Sequence, residues 1–307
     1  MEKVRSNYKK RRMRDLIFCL CVIAIPVLQF AIFYIGVNFN SILMAFQEYR
    51  IDPETNLGAY HWLGSGNFKA IWIELHGHEL RQALKNSVIV FLVNVGVGTT
   101  LSLVFSLYIF KKCFLSKTFR VLLFAPSILS AIVTVTMYRY FVEVALPVLI
   151  PSMDGIGLLS NLDTRMFALI FFMIWIGFGT QILMYSGAMN SIDPSVLEAA
   201  KIDGANAIVE FVRVILPLIY PTIVTFMVTN MAGFFTNQLN LYSFYGTIAD
   251  TRYITLGYML FRNTKDSATT FGEFPKLAAY SVVFTCIATP ITLFTKKLLD
   301  RVGPSVE

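Results

Sequence analysis

The sequence predicts an all-α, polytopic membrane protein with six transmembrane helices, and three observations carry that reading. Of 307 residues, 56% are hydrophobic and only 15% charged, and the mean hydropathy of +0.62 exceeds what a soluble core requires. Six stretches lack Asp, Glu, Lys and Arg: Leu16–Val37, Asn86–Phe110, Val121–Tyr138, Met166–Ile192, Val214–Ala249 and Leu277–Thr295. Each is near or above the ~20 residues that cross about 30 Å of hydrocarbon as a helix. Lys and Arg, finally, are distributed unevenly over the intervening segments.

The first span follows a tail carrying Lys3, Arg5, Lys9, Lys10, Arg11, Arg12 and Arg14. That charge places the N-terminus inside. A signal peptide also begins this way, but the run is long for one and no A-x-A-like site follows, so it reads as a retained span. With the N-terminus inside, 16 of the 26 Lys and Arg fall on cytoplasmic segments and 10 on outer ones, which agrees with the retention of positive charge. Both termini are therefore expected in the cytoplasm. The expected spans are about 16–37, 86–110, 121–138, 166–187, 215–237 and 277–295. The 36 uncharged residues from Val214 exceed one helix and fall short of two with a turn. Leu239–Ala249 is accordingly expected at the outer interface, where Tyr242, Phe244 and Tyr245 suit the headgroup layer. Pro217 and Pro221 should kink or loosen the start of span five. No repeat, low-complexity tract or linker divides the chain, so a single domain over 1–307 is expected.

Between spans four and five lies a loop, residues 190–217, with its own local signals. Asp193 can cap a helix that Pro194 opens, and Gly204 tolerates the left-handed conformation that closes one. A second helical pattern begins near Asn206 and runs into Leu216-Pro217. The result is a helix, a turn and a helix on the cytoplasmic side, with Glu198 and Asp203 as carboxylates and Ala199 and Ala200 small enough for close approach.

Glu198-Ala199-Ala200, three residues, Gly204, nine residues, the aliphatic Val214, one more residue and Leu216-Pro217 resemble the loop shared by permease subunits of binding-protein-dependent ABC importers. Val214 stands where Ile is commoner, and Ile208 lies in a stretch that often holds an aromatic. Phe39–Tyr49, Trp62–Phe68, Asn86-Ser87, Pro126, Asp154–Leu159 and Ile254–Phe261 follow in the order of the sugar-importing branch. The likeness is to the first permease of a two-permease carbohydrate system, without the extra spans and large outer domain of the maltose version. The resemblance implies a type I importer permease fold in a prokaryotic cytoplasmic membrane. It implies that the loop is a coupling helix seated in a cleft of an ATPase, with Glu198, Ala199, Ala200 and Gly204 in contact and Asp203 beside them. The implied partners are a second permease, two ATPase copies that carry ATP and Mg, and an extracytoplasmic binding protein delivering a carbohydrate. Residues 47–85 are the candidate docking surface for that protein, and no cofactor is expected on this chain.

Other chemistries find little support. The formal charge of +7 is the usual by-product of retained cytoplasmic Lys and Arg rather than a sign of nucleic acid. Cys19, Cys21, Cys113 and Cys286 have no zinc or disulfide spacing and read as reduced packing residues. No Gly-Lys falls in a phosphate-loop frame. His76-Gly77-His78 has nothing to complete a tetrahedral metal set, and Gly64-Ser65-Gly66 lacks the setting of a nucleophile elbow. Gly96-Val97-Gly98 and Gly177-Phe178-Gly179 are mid-membrane, where small residues permit close helix contact. An ion-coupled carrier or a channel for a neutral solute is the rival reading, along with a non-sugar ABC importer or a membrane interaction protein. Ion coupling usually needs an ionisable residue within the membrane, and the six stretches have none. Arg139 and Glu143, four apart, read as a solvated pair at the rim of span three.

Within span five, Asn230, Phe234 and Asn237 fall at helical spacing, with Gln238 alongside. Amides satisfy sugar hydroxyls and aromatic rings cover C–H faces, so these four residues are candidates for the solute path. The alternative, that the amides bond neighbouring helices and the rings pack, stays open. Asn94 and Gln181 raise the same question.

Overall fold

An apolar run of spanning length satisfies its backbone only as helix. The computed structural model, which describes residues 2–53, 57–74, 76–267 and 271–304, is helical over most of all six runs. The chain divides into two compact units, Met1–Ile71 with Thr270–Val282 and Trp72–Thr269 with Val283–Glu307.

In the first unit, α1 (Glu2–Gln29), a π-helical turn (Phe30–Gly36) and α2 (Val37–Met44) form one helix longer than the expected 16–37. Its side chains from Met13 to Leu43 are all exposed. A small antiparallel hairpin, β1 (Gln47–Ile51) with β2 (Gly58–Trp62), pairs Gln47 with Trp62 and Tyr49 with Tyr60. It was not expected from the sequence, although Tyr49 and Ile51, and Tyr60 and Trp62, alternate as strand residues do. Phe46 stacks on Trp62 at 5.6 Å and meets Phe68 at 5.0 Å. Asn67 Nδ2 ties the hairpin down by donating to the carbonyls of Ala45 (3.0 Å) and Gln47 (2.7 Å). Residues 54–56 and 75 of the proposed outer loop 47–85 lie outside the described residues. α3 (Gly66–Glu74) leads on to the second unit.

There, α4 (His78–Val93), a π turn (Asn94–Gly98) and α5 (Thr99–Phe110) form the second spanning helix. It starts before Asn86, with Glu79, Arg81 and Lys85 in its first turns, and Glu79 pairs with Arg262 at 2.5 Å. α6 (Ser116–Ile128) and α7 (Ala131–Tyr140) follow, the latter continued by a π turn (Phe141–Ala145) and α8 (Leu146–Leu149). The expected third span, 121–138, is thus broken. Leu129 and Ser130 are extended, and the stretch of spanning length and apolarity is Ala131–Leu149. That helix passes through Arg139 and Glu143 without an ion pair between them among the described residues. Arg139 donates to the carbonyl of Phe244 (3.4 Å), and Glu143 Oε1 accepts from the N–H of Leu159 (2.6 Å) and Ser160 (3.0 Å). The rule that a charge ends a span fails where backbone groups satisfy the charge.

α9 (Arg165–Asn190) is the centre of this unit. It packs on α5 and α6 and buries Leu169, Phe172, Ile182, Tyr185 and Met189. After it come α10 (Pro194–Ile202), α11 (Ala207–Glu210), a π turn (Phe211–Ile215), α12 (Leu216–Leu218) and α13 (Tyr220–Ala232), which ends in a 3-10 turn (Gly233–Phe235). The fifth span is a pair of helices, Ala207–Leu218 and Tyr220–Phe235, bent by 69°. The bend falls between two prolines: Pro217 lies in the last turn of the first helix, and Pro221, in the first turn of the second, cannot donate back across the break. α14 (Leu241–Tyr245), α15 (Leu256–Ser267) and α16 (Phe274–Val302) complete the chain. Among the described residues, five helices are long and apolar enough to span, or six if the bent pair counts as one span. α14 and the turn before it pack on the chain itself: Leu239, Leu241 and Phe244 are buried, Phe244 lies 4.9 Å from Phe172, and Tyr242 stays exposed. The four cysteines are exposed and unpaired rather than packed, on faces that this chain leaves uncovered.

The start of α15 lies against the backbone that follows α13. A Cβ on Gly257 would stand 2.4 Å from the carbonyl carbon of Thr236 and 2.6 Å from Asn237 O, so only glycine fits this approach. Gly257→Ala is expected to destabilise the protein by about 1–3 kcal/mol through overpacking. Gly177→Ala, whose Cβ meets nothing within 4 Å, should melt with the wild type; thermal unfolding in detergent compares the two.

Candidate functional site

The loop between α9 and α13 is built from local signals. Asp193 Oδ1 accepts from the N–H of Ser195 at 2.9 Å and from its hydroxyl at 2.8 Å. These two bonds, the backbone one foremost, hold its carboxyl below the usual range and cap α10. At the other end, the N–H of Gly204 bonds Lys201 O and that of Ala205 bonds Ala200 O, both at 3.0 Å. This is the two-bond closure that needs a left-handed residue, and Gly204 supplies it with φ of +80°. Asn206 Oδ1 then accepts from Ile208 (3.1 Å) and Val209 (2.9 Å) to start α11.

Glu198, Ala199, Asp203 and Gly204 are exposed, and Ala200 is half-buried. Sequence reasoning missed the apolar residues presented around them. Ile202 is 85% and Ile208 74% exposed, with Val196 and Val212 also uncovered, an apolar patch rimmed by charge of the kind that marks interaction surfaces. Beneath it the loop is firmly rooted. Ile192, Leu197, Phe211 and Leu216 pack on a buried cluster of Tyr185 and Met189 from α9 with Ile215, Ile219 and Ile223 from the bent pair. Leu103, Leu107 and Phe110 of α5 pack on the same cluster.

A second anchor is ionic. Glu210, its side chain 4% exposed, accepts from Lys111 Nζ at 2.6 Å, joining α11 to the end of α5. The available signal was Glu210 standing alone among Val209, Phe211 and Val212, where burial demands a counter-charge.

The solute-path candidates meet at a cavity of about 250 Å³ lined by Phe91, Asn94, Asn230, Phe234, Asn237 and several Ser and Thr hydroxyls. Asn94 Nδ2 donates to Asn230 Oδ1 at 3.3 Å, and Asn230 Nδ2 is buried with no protein partner. Phe234 meets Phe91 edge to face at 5.7 Å. The π turn at Asn94–Gly98 helps place the Asn94 amide, since a Cβ on Gly98 would stand 2.9 Å from its Oδ1. Asn237 is half committed to structure, accepting from the N–H of Leu239 (2.9 Å) and lying 3.4 Å from Met173 Sδ. Gln238 does not line the cavity, and Gln181 accepts from Ser102 at 2.8 Å across the α5–α9 contact. No ionisable side chain lines the cavity. Among the described residues, no three His, Cys, Asp or Glu gather as a metal set.

Known proteins bear on this arrangement. The family described as "Binding-protein-dependent transport system inner membrane component" matches residues 88–307. A probable ABC transporter permease of Pyrococcus horikoshii is 25% identical over 227 residues, 71% of this chain and 75% of that one. The lactose transport system permease protein LacF of Rhizobium radiobacter is 27% identical over 186 residues, 55% of this chain and 58% of its own length. The solved bacterial ABC transporter that imports the acidic polysaccharide alginate contains a chain of similar fold, with a TM-score of 0.75, 18% identity, and coverage of 96% of this chain and 100% of that one. In another structure of an alginate ABC transporter, in complex with an alginate pentasaccharide-bound periplasmic protein, the matching chain has a TM-score of 0.72 at 20% identity and covers 96% of this chain and 99% of that one.

Lys111→Met leaves the Glu210 carboxylate buried and unpaired, and is expected to cost about 2 kcal/mol after allowing for the partial exposure of the lysine. Lys111→Met with Glu210→Met should recover most of that loss. Equal melting temperatures for the single and double variants in detergent would show that the pair carries no weight.

Proposed function

The chain belongs to the family of inner membrane components of binding-protein-dependent transport systems, and from that membership we propose that it is the permease subunit of an ATP-driven importer for a neutral carbohydrate. The observation that carries the proposal is the loop itself: an exposed helix-turn-helix with Ile202 and Ile208 displayed, rooted through Leu197 and Phe211 in the cluster that holds the bend of the fifth span. A partner gripping such a knob moves the bent helix. Two ATPase subunits, each binding ATP with Mg, close and open beneath a pair of permeases, of which this chain is one; Glu198, Ala199, Ala200, Asp203 and Gly204 form part of the gripped surface. α13 then runs from Ile223 in the cluster to Asn230 at the cavity, and the 3-10 turn that closes it carries Phe234, so one continuous helix connects the driven end to the solute end. ATP binding biases the permease pair toward one of its two openings because the ATPases fit one arrangement of the loops better.

The lining of amides, hydroxyls and ring faces fits a sugar, and the absence of Lys and Arg from it favours a neutral sugar over an acidic one. A cavity of about 250 Å³ is small for an oligosaccharide, so it serves as one wall of a path that the second permease completes. An extracytoplasmic binding protein delivers the solute, and the hairpin with Trp62, 67% exposed, is offered as part of its docking surface. An ion-coupled carrier would need a titratable group at this wall, and none lines it.

Gly204→Pro replaces a residue at φ of +80° by one locked near −65°. The variant is expected to reach the membrane at wild-type level and to lose sugar uptake, measured with radiolabelled sugar in cells. Full uptake by it would sink the coupling role. Asn230→Leu should lower uptake while leaving copurification of the nucleotide-binding subunit unchanged, whereas failure of any such subunit to copurify with the wild type would remove the importer reading altogether.

A further inference from the structure

A second, larger cavity lies away from the proposed solute path, at the turn between α5 and α6. Its volume is about 880 Å³, and Lys112, Lys117 and Arg120 line it. None of the three forms an ion pair with a described carboxylate, in contrast to Lys111 beside them, which is taken by Glu210. The lining holds no Asp or Glu at all, while Ser116, Thr118 and Asn190 add neutral polar groups. One wall is apolar, made by Ile109, Phe110, Leu115 and Val121, and that apolar surface continues along α6 through Leu122, 63% exposed.

The turn that shapes this cavity is held in an unusual conformation. Lys112 and Leu115 both adopt left-handed backbone angles, with φ of 52° and 56°, which side-chain-bearing residues seldom take without a compensating cause. The turn is fixed by bonds from Cys113 N–H to Tyr108 O (3.3 Å), Ser116 N–H to Cys113 O (3.0 Å) and Tyr108 OH to Phe114 O (2.5 Å). Lys112 is therefore placed opposite Lys117 and Arg120 by a tied turn rather than by a loose loop.

Three unpaired cations beside an apolar wall, where the spanning helix of α4 and α5 ends and the apolar α6 begins, call for one amphiphile, with a negatively charged head and hydrocarbon behind it. We propose that this cavity binds the headgroup of an anionic phospholipid of the inner leaflet, with the phosphate between Lys112, Lys117 and Arg120 and the acyl chains along Val121 and Leu122. The chemistry follows the general preference of basic pockets between membrane helices for acidic headgroups, and the charge balance of the cavity selects against zwitterionic lipid. The inference rests on the α5–α6 turn lying at the membrane surface and not on the identity of the solute or on the coupling role of the loop.

The test uses the full chain with its copurifying subunits, in nanodiscs of phosphatidylcholine doped with phosphatidylglycerol, and counts lipids retained after transfer to detergent by native mass spectrometry. Wild type is expected to retain phosphatidylglycerol selectively, and K112Q/K117Q/R120Q to retain it about fivefold less per charge removed, on the order of a hundredfold in all at low salt. K112R/K117R/R120K keeps the charge and should retain the lipid, which separates lost charge from a damaged fold. Sugar uptake and subunit copurification are read in parallel, so loss of lipid with intact assembly does not touch the importer reading. Equal retention of the two lipids, equal retention by wild type and the glutamine variant, displacement by inorganic phosphate alone, or protection of these lysines from acylation by a copurifying subunit would each overturn the proposal.

Discussion

Hydrocarbon offers no partner to a backbone N–H or carbonyl, so a membrane helix can be interrupted only where protein or a polar cavity takes over the freed groups. Most of what distinguishes this chain follows from where it interrupts its helices. The break at Ile219 is buried in the cluster of Tyr185, Met189, Ile215 and Ile223. The unwinding after Phe235 is met by Thr255, whose hydroxyl bonds Asn237 O at 2.7 Å, and by Asn237 Oδ1, which accepts from Leu239. These two irregular points are thus covered by side chains placed for them, and they bound the segment that carries Asn230 and Phe234.

The same economy of polar groups explains why α4 and the segment before α15 stay together. Asn86 Nδ2 donates to the carbonyls of Arg252 (2.9 Å) and Ile254 (2.8 Å), and Ser87 Oγ accepts from the N–H of Leu256 at 2.9 Å. Buried polar side chains that are fully bonded specify one arrangement and penalise others. Around the fifth span, then, a rigid frame of α4, α5 and α9 surrounds a bent element with one end on the exposed loop and the other at the cavity. The loop is packed where it meets this frame and bare where it faces outward. The Lys111–Glu210 pair adds a second tie that crosses from α11 to α5, so a push on the loop reaches two spans rather than one.

Charge is absent from the cavity but present immediately around the frame. Arg165 lies 5.0 Å over the Tyr253 ring and 4.0 Å from Asp250, and the hydrogen bond from Arg252 holds the Asp250 carboxyl below its usual range. Such groups fasten the irregular segments around the frame, and the cavity keeps a lining of amides, hydroxyls and rings.

What the sequence alone determined is what depends on near neighbours or on bulk transfer from water. The long apolar helices followed from runs of uncharged residues, the bend from the prolines on either side of it, and the helix-turn-helix from Asp193-Pro194, Gly204 and Asn206, since each of those effects acts within a few residues. Three of the four proposed path residues do line one cavity: Asn230 from α13, Phe234 from the 3-10 turn that closes it, and Asn237 from the irregular chain beyond. The tertiary structure decided the rest. Arg139 and Glu143 lie inside one helical run because backbone groups elsewhere in the chain satisfy them, and that run, Ala131–Leu149, is of spanning length; Phe244 is buried because α9 covers it. Gln238 turns away from the cavity once the helix ends at Phe235, and the partner of Glu210 lies 99 residues away in the chain. Local pattern records where a polar group occurs, but only the folded chain supplies the partner that makes its burial tolerable.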